Sequence, residues 1–180
     1  FFFFFQRGKS REQSKSPRDS AFSEDTDGRL LALEEANEFF GASLKFSDMF
    51  RLVASRVAEI VPFSTAVIFL RAEGDNVLQI AYAVGENSRS FMSLRADTNR
   101  GLAVKSFISG KVQVDEKLHF ERRVFPPELL QKLNSAAAIP LRNRHETYGV
   151  LVLYGAGEIR FGQNETTLLE AVGERIAPLF

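Results

Sequence analysis

Residues 135–154, with the sequence SAAAIPLRNRHETYGVLVLY, form the stretch that decides the fold. Two mainly apolar runs of strand length, 135–141 and 147–154, lie on either side of the polar segment Arg142-Asn143-Arg144-His145-Glu146. Two such runs separated by a short polar turn predict neighbouring strands. The stretch therefore predicts a β-hairpin in the last third of the chain.

A second hairpin is predicted upstream of this one. Residues 65–70 are a nearly continuous run of strand-forming side chains, and residues 77–84 alternate between larger apolar side chains and smaller or polar ones. The segment Glu73-Gly74-Asp75-Asn76 separates the two runs. Period-two alternation next to a Gly-Asp-Asn turn is typical of an antiparallel pair. The alternating apolar positions are Leu78, Ile80, Tyr82 and Val84.

Helical periodicity surrounds the two hairpins. Apolar residues recur every three to four positions in residues 29–40, 47–61 and 163–177, which is typical of amphipathic helices. Gly41 is expected to end the first of these helices, and Ser47 to cap the second. Shorter helices are predicted at 101–110 and 128–133, a short strand at 111–115, and a polar loop at 86–100, with Phe91 inside it.

This order of elements predicts an α+β domain. Hairpins on both sides of the middle of the chain imply a central antiparallel sheet, for which we expect five to six strands with flanking helices. The N- and C-terminal helices are expected to pack together on one face of that sheet.

The first 27 residues are predicted to be a connection. The run Phe1–Phe5 is too short to cross a bilayer, which takes about 20 apolar residues. Five Lys and Arg side chains and one Glu follow it within the first 18 positions, a pattern typical of the cytoplasmic end of a membrane helix. We therefore expect residues 1–5 to end a truncated transmembrane helix, an arbitrary chain boundary being the alternative. Residues 6–27, which are mostly polar, are expected to be a flexible linker, and residues 28–180 the folded domain.

Composition and motifs argue against several kinds of chemistry. The chain has no cysteine, which removes disulfides, thiolate nucleophiles and cysteine metal sites. Its 23 basic and 23 acidic side chains balance, so no broad nucleic-acid surface is expected. His119 and His145 have no metal-ligand spacing around them, and Ser106, Ser109 and Ser135 lie in no nucleophile motif. Because there is also no phosphate-binding glycine loop, we expect no enzyme, metal site or cofactor.

In combination, the segments resemble a GAF domain, a small sensory relative of PAS domains. The resemblance runs from about Leu44 to Ala177 and implies a GAF/PAS-like sheet, with residues 28–180 as the domain and its N-terminal signalling helix. The resemblance rests on the segments AVIFL (66–70) with LQIA (78–81) and Gly85, RGLA (100–103) with SGKV (109–112), SAAAIPL (135–141), YGVLVL (148–153) and FGQNE (161–165).

Three branches of the family fit the sequence poorly. Cyclic-nucleotide-binding GAF domains end the last strand with an Asn-Lys pair, where this chain has Tyr154-Gly155. They also open the last helix with Phe followed by Asp-Glu, and this chain keeps Phe161 and Glu165 but has Asn164. Bilin-binding members of phytochrome type and the GAF-type methionine sulfoxide reductases depend on cysteine, which is absent.

A ligand site is expected between the sheet and the loops 86–100 and 115–127. Thr98 or Asn99 would cap the helix at 101–110, whose N-terminus favours an anionic group. The alternative is an ordinary cap with solvated arginines, and aromatic side chains that serve only as core. The candidate ligand-binding residues are Tyr82, Arg95, Arg100, Phe107, Asp115, His119, Phe120 and Phe125.

Apolar edges on the first and last helices suggest a homodimer, since GAF domains commonly dimerise through flanking helices. Packing of the same helices on the domain's own sheet is the alternative, and both can hold together. The candidate interface residues are Leu30, Leu33, Phe40, Leu168, Val172 and Ile176.

The resemblance implies a cytoplasmic regulatory module of a larger, membrane-anchored bacterial signalling protein. We expect it to sense an unknown small molecule and to act on an output domain beyond the C-terminus, such as a GGDEF cyclase, an HD-type phosphodiesterase or a histidine kinase. The alternative is a ligand-free module for homodimerisation and signal relay, whose pocket is filled by its own phenylalanines.

Overall fold

The computed structural model describes residues 42–73, 76–94 and 97–180, with the backbone alone for residues 42–45. The chain divides into two compact units, Phe1–Asp48 and Met49–Phe180. Of the first unit, only the start of a helix is described. The predictions for residues 1–5, 6–27 and 29–40, which include Leu30, Leu33 and Phe40, and the prediction for Arg95 lie outside the described residues.

A five-stranded antiparallel sheet forms the centre of the fold, as the sequence predicted. The strands lie in the order β2-β1-β5-β4-β3, and every neighbouring pair is antiparallel. The two long strands β4 and β5 form the hairpin predicted from residues 135–154. The strands are β1 (Thr65–Arg71), β2 (Leu78–Gly85), β3 (Gln113–Asp115), β4 (Leu133–Arg142) and β5 (Thr147–Ala156).

Helices flank the sheet, which confirms the α+β class. The helices of the described ranges are α1 (Ala42–Ile60), α2 (Ser88–Ser93), α3 (Leu102–Ser109), α4 (Pro127–Leu130) and α5 (Thr166–Ile176). Short 3₁₀ turns occur at Glu121–Arg123, Gln163–Glu165 and Ala177–Leu179. Among residues 42–73, 76–94 and 97–180, no helix has both the length and the hydropathy that a membrane span requires.

One face of the sheet, here called the helix face, is covered by α1 and α5. Ile139, Leu151, Ile68 and Tyr82 are cross-strand neighbours on it, one from each of four strands. At one end of this row, α5 approaches so closely that a Cβ on Gly173 would lie 2.6 Å from Cγ2 of Ile139. At the other end, the ring of Phe50 in α1 meets the Tyr82 ring edge-on, with centroids 6.0 Å apart.

The opposite face, here called the loop face, carries α2, α3 and the segment 116–126. Its central row is Ala138, Val152, Val67 and Ala83, which are again cross-strand neighbours. Small side chains at both ends of the row leave room for apolar side chains from the helices and from the segment 116–126. Those buried over the row include Phe91, Leu102, Val104, Leu118 and Phe125.

A β-bulge in β2 corrects the predicted alternation. Ile68 pairs with Tyr82 and Phe69 pairs with Ile80, so Ala81 is an extra residue without a partner. The extra residue reverses the side-chain alternation at that point. Ile80 therefore packs on the loop face and Tyr82 on the helix face, whereas the sequence pattern predicted one shared face.

Two helix predictions were also wrong. α1 begins at Ala42, so Ser47 lies within the helix and is not its N-cap. Residues 88–93 form α2, although the sequence predicted a loop there, and Phe91 from this helix is fully buried. A helix of six residues is too short to display a helical period, because the period needs more than one or two turns to appear.

Candidate functional site

A crevice of about 190 Å³ opens on the loop face, between the sheet, Leu94 and the segments 97–100 and 123–125. Its apolar lining comes from β1, from β2 and from the residues on the other side of the crevice. These apolar residues are Phe69, Ile80, Leu94, Val124 and Phe125. Its polar lining is Asp97, Thr98, Asn99, Arg100 and Arg123. The crevice thus has an apolar floor and a charged rim.

Hydrogen bonds hold the rim segment at Thr98 and Arg100. The N–H and C=O groups of Thr98 exchange two 2.8 Å hydrogen bonds with Leu78, which pins the segment to the outer edge of β2. The Thr98 hydroxyl accepts the Arg100 N–H at 3.2 Å and donates to the Arg100 C=O at 2.9 Å. The backbone that carries Arg100 is therefore fixed locally.

The rim carries a net positive charge. Arg100 and Arg123 are exposed, and Asp97 is the acidic residue of the lining. Among the described residues, neither guanidinium group has a hydrogen-bond or ion-pair partner in a side chain or in the backbone. Two guanidinium groups without partners beside an apolar floor suit a ligand that joins an anionic group to an apolar body.

Behind the crevice, aromatic side chains fill the interior of the loop face. The Tyr154 and Phe91 rings stack with centroids 4.8 Å apart, and Phe125 meets Phe91 edge-on at 5.4 Å. Tyr154 is fully buried between its cross-strand neighbours Thr65 and Ala136, whose small side chains leave space for its ring. The chain's own rings occupy the middle of this face.

A buried carboxylate lies next to these rings. Glu121 is 1% exposed. Its Oε1 accepts the Leu102 N–H at 2.9 Å, and its Oε2 accepts the Tyr154 hydroxyl. Burial raises the pKa of Glu121, against the two hydrogen bonds, which lower it, and with a smaller upward contribution from the charge of Asp115. Burial, and then the adjacent Glu121 charge, raise the pKa of the Tyr154 hydroxyl well above its ordinary value.

Glu121 accepts the backbone N–H of Leu102 at the start of α3, where the sequence predicted a cap from a neighbouring residue. The N-cap position is Gly101, with φ +101°, and no local side chain caps the helix, so the prediction of Thr98 or Asn99 was wrong. A Cβ on Gly101 would lie 2.9 Å from Cγ2 of Val124. Glycine is therefore required at position 101 by both its dihedral angle and its contact with the segment that carries Glu121.

The predicted ligand residues divide by location. Arg100 and Phe125 line the crevice, and Phe107 and Phe120 are half-buried against the loop-face core. Tyr82 lies on the helix face, where its hydroxyl accepts hydrogen bonds from Nε and Nη2 of Arg51 at 3.1 and 2.6 Å. The structure therefore does not bring Tyr82 to the crevice, because the bulge at Ala81 turns its side chain away.

Asp115 is the last residue of β3, and His119 and Phe120 lie in the segment that follows it. Asp115 is buried, and its carboxylate accepts the N–H groups of Lys117 at 3.3 Å and Phe120 at 2.8 Å. Nζ of Lys105 lies 4.3 Å from the centroid of the Phe120 ring. His119 is exposed. These contacts shape the segment, and none of the three residues lines the crevice.

The serines considered as nucleophiles make structural hydrogen bonds. Ser106 donates to the Lys111 C=O at 2.8 Å, and Ser135 accepts the Phe161 N–H at 3.0 Å. In the ranges that the structure describes, no three His, Asp or Glu side chains are grouped to hold a metal ion.

The departure from the cyclic-nucleotide motif has a steric basis. A Cβ on Gly155 would lie 2.2 Å from the backbone oxygen of Ile159, so no side chain fits at this position. Glu165, which the motif shares, accepts the backbone N–H of Gly162. The position that would need a lysine therefore cannot hold one.

Of the C-terminal residues predicted for a dimer, one reaches the surface. Leu168 is 44% exposed, whereas Val172 and Ile176 are buried. α5 packs these two side chains inward, on the side where Gly173 meets β4. Val172 and Ile176 therefore serve the domain's own core, and Leu168 is the one of the three that is available to a second copy.

Sequence reasoning missed Glu121. It is one of 23 acidic residues, and its neighbours in sequence, Phe120 and Arg122, do not mark it as buried. Its two partners lie 19 and 33 residues away. A contact of that separation leaves no periodic signal in one sequence.

Three solved structures illustrate the likeness to known proteins. The chain is similar to the type II free methionine-R-sulfoxide reductase from Thermoplasma acidophilum, with 15% identity, 76% of this chain and 93% of that one covered, and a TM-score of 0.57. It is similar to the GAF domain/HD domain protein from Geobacter sulfurreducens, with 12% identity, coverage of 73% and 89%, and a TM-score of 0.58. It is also similar to the GAF domain of a two-component sensor histidine kinase from Bacillus halodurans, with 14% identity, coverage of 73% and 90%, and a TM-score of 0.52.

At these identities the solved structures establish the fold alone. None of the curated protein sequences matches the chain significantly. The family model for the GAF domain matches residues 43–180, which is most of the chain and includes all five strands. By this match and by its fold, the chain belongs to the GAF domain family, whose members occur in sensor proteins.

Proposed function

We propose that the chain is a small-molecule-sensing regulatory domain of a larger bacterial signal-transduction protein. The observation that carries the proposal is the crevice between the sheet and the two rim segments, where Arg100 and Arg123 stand over an apolar floor. Ligand sites in proteins are concave and combine apolar walls with a few polar anchors, and the crevice combines an apolar floor with the two arginines of its rim.

The crevice limits the kind of ligand. Its volume of about 190 Å³ is below the range of roughly 300–1,000 Å³ typical of sites for drug-sized molecules. The two guanidinium groups favour a carboxylate or phosphate, with which arginine forms charge-assisted hydrogen bonds. The proposed ligand is therefore a small anion with a short apolar body.

The proposed role in signalling is transmission to an output domain. Ligand binding would shift the crevice segments 97–100 and 123–125 relative to each other, and the output domain would lie beyond Phe180. An HD-type phosphodiesterase or a histidine kinase is supported by the kinds of protein from which similar GAF structures come, and a GGDEF cyclase by the family resemblance. We further propose that the domain is cytoplasmic, in a protein anchored in the membrane, and that it is no enzyme.

Benzoate tests the proposed ligand class, because it joins one carboxylate to a small apolar ring. Thermal unfolding of the 180-residue chain is measured with sodium benzoate and with benzyl alcohol, which has the same ring without the charge, at constant ionic strength. We expect benzoate alone to raise the melting temperature, since a ligand at 100 times its Kd stabilises the folded state by about 2.7 kcal/mol.

Paired variants locate the site. Benzoate binding should be at least about tenfold weaker in R100Q/R123Q, because charge-assisted hydrogen bonds contribute about 1.5–3 kcal/mol each. Arg144 is an exposed arginine in the β4–β5 turn and supplies the control R144Q, which should bind as the wild type does. An equal response in R100Q/R123Q would place the ligand elsewhere. If benzoate has no effect on the wild type, a wider screen of metabolites and nucleotides that also fails would refute sensing.

A second candidate function is favoured by a specific observation. The rings of Phe91, Phe125 and Tyr154 fill the middle of the loop face. A domain whose interior is already filled by its own side chains is suited to relay a signal between flanking helices without a ligand. Homodimerisation through the N- and C-terminal helices would then be its main activity.

A further inference from the structure

The crevice rim comes from two segments that are separate in sequence. Arg100 precedes α3, and Arg123 ends the 3₁₀ turn Glu121–Arg123. An anion that contacts both arginines depends on the position of one segment relative to the other. The contact that joins them is therefore as important for such a ligand as the arginines themselves.

Glu121 makes that contact. Its Oε1 accepts the Leu102 N–H at 2.9 Å, two residues after Arg100, and Glu121 itself lies two residues before Arg123. The ideal Cβ position of Gly101 is 3.3 Å from the same oxygen, so the Glu121 side chain packs closely against the Gly101 backbone at this point. The carboxylate thus joins the two rim segments directly behind the arginines.

The second oxygen of Glu121 anchors the joined segments to the sheet. Oε2 accepts the hydroxyl of Tyr154 in β5, and the Tyr154 ring is stacked on Phe91 of α2. One carboxylate therefore holds the turn, the start of α3 and the central strand β5 together. Glu121 and Asp115 are the two acidic side chains that are buried among the described residues, and Asp115 bonds within its own segment.

We propose that Glu121 is a positioning residue of the ligand site, which fixes the segment that carries Arg100 relative to the turn that carries Arg123, so that one anion can contact both. The proposal rests on the proposed function, and it adds to it the residue that sets the geometry of the rim. Glu121 does not touch the ligand. It acts through the backbone of Leu102 and through the turn that carries Arg123.

The variants E121Q and E121L test this role. Glutamine can still accept the Leu102 N–H and can donate to the Tyr154 oxygen, so E121Q keeps both contacts. Leucine has a similar volume and keeps neither contact. Glu128 is exposed on α4, and E128L provides the same substitution without a buried contact. Hydrogen exchange and benzoate binding are measured on the 180-residue chain of each variant.

In E121L we expect amide exchange in residues 97–103 and 118–126 to rise at least about tenfold, since one lost charged hydrogen bond is worth about 1.5–3 kcal/mol. Exchange in β4 and β5 should stay as in the wild type, and benzoate affinity should fall about tenfold. E121Q should restore both quantities to within about threefold of the wild type, and E128L should leave both unchanged.

Each result decides a separate point. Unchanged exchange of both segments in E121L would overturn the proposal, and so would faster exchange with unchanged benzoate affinity. Equal losses in E121Q and E121L would also overturn it, because E121Q keeps the contacts. If the wild type does not bind benzoate, the proposed ligand class fails, and faster exchange of 97–103 and 118–126 together still tests whether Glu121 joins them. If E121L does not fold, Y154F, which removes one contact, is expected to speed exchange in 118–126.

Discussion

Glu121 carries a carboxylate that the fold removes almost completely from water. Desolvation disfavours the charged form of an acid, and two hydrogen-bond donors compensate for this only in part, so its pKa is raised in the folded state. An unfolded chain would return the group to its ordinary pKa. At the scale of single residues, this difference links the stability of the domain to pH.

Proton binding at Glu121 decides whether the stability of the domain rises or falls with pH. Above the ordinary pKa of 4.5, the folded state holds more protons at Glu121 than the unfolded state does. The stabilising contribution of Glu121 is therefore complete below that pH and is lost as pH rises through the raised pKa. E121Q is neutral at every pH, so its free energy of unfolding should improve relative to the wild type as pH rises from 4.5 to 7.

Urea unfolding at several pH values measures this difference. E128Q, a variant at an exposed glutamate, should run parallel to the wild type throughout. If the free energy of unfolding of E121Q relative to the wild type stayed constant or fell as pH rose, the pKa of Glu121 would not be raised in the folded chain.

At the scale of elements, the contact between α5 and β4 decides how the helix face is closed. Gly173 lies in the middle of α5, where glycine is unfavourable by about 1 kcal/mol relative to alanine. The sheet explains its presence, because a Cβ there would lie 2.6 Å from Cγ2 of Ile139, which is fully buried. A larger residue would therefore move the helix away from the sheet.

We expect G173A to destabilise the domain by about 1–3 kcal/mol in spite of its higher helix propensity, since added volume in a packed contact is unfavourable. Ala171 is exposed on the same helix, and A171G should also destabilise, by about 1 kcal/mol, through propensity alone. Chemical denaturation measures both. A stability of G173A equal to or above that of the wild type would show that α5 has room to move at this contact.

The structure of the elements agrees with the sequence predictions in some places and differs from them in others. The strands of both hairpins follow from local alternation and turn chemistry, and those predictions were confirmed. The bulge at Ala81 and the helix at 88–93 were missed. The bulge depends on which residues of β1 pair with β2. The short helix α2 is stabilised because it buries Phe91 against the sheet. Neither cause is present in the segment alone.

At the scale of the whole molecule, the proposed homodimer depends on the surface that α5 leaves exposed. Leu168 is 44% exposed on this helix, and Ile108 on α3 is 62% exposed on the other side of the sheet. If the flanking helices form the dimer interface, a charge at Leu168 disturbs it, and a charge at Ile108 does not.

Light scattering across a range of concentrations tests the prediction. We expect the wild type and I108E to be dimers, and L168E to shift to the monomer with a melting temperature close to that of the wild-type monomer. A wild type that stays monomeric at high concentration would refute the dimer, and dissociation of both variants would place the interface elsewhere.

The candidate site was predicted in outline and corrected in detail. The sequence indicated the two segments that form the crevice rim, and it named Arg100 and Phe125, which line the crevice. It assigned the start of α3 to Thr98 or Asn99, because a cap is normally sought within a few residues. The group that bonds to Leu102 is Glu121, 19 residues away.

By itself, the sequence determined the sheet, its two hairpins and the family, because alternation, turn residues and glycines with special conformations act over a few neighbouring positions. The absence of cysteine likewise needed no structure to exclude thiolate chemistry. Only the tertiary structure decided that Tyr82 faces α1, that Tyr154 fills the loop face and that Glu121 is buried. Burial is a property of surfaces brought together from distant parts of the chain, and a carboxylate enters the interior only where donors from other elements, here Leu102 and Tyr154, are already placed to meet it.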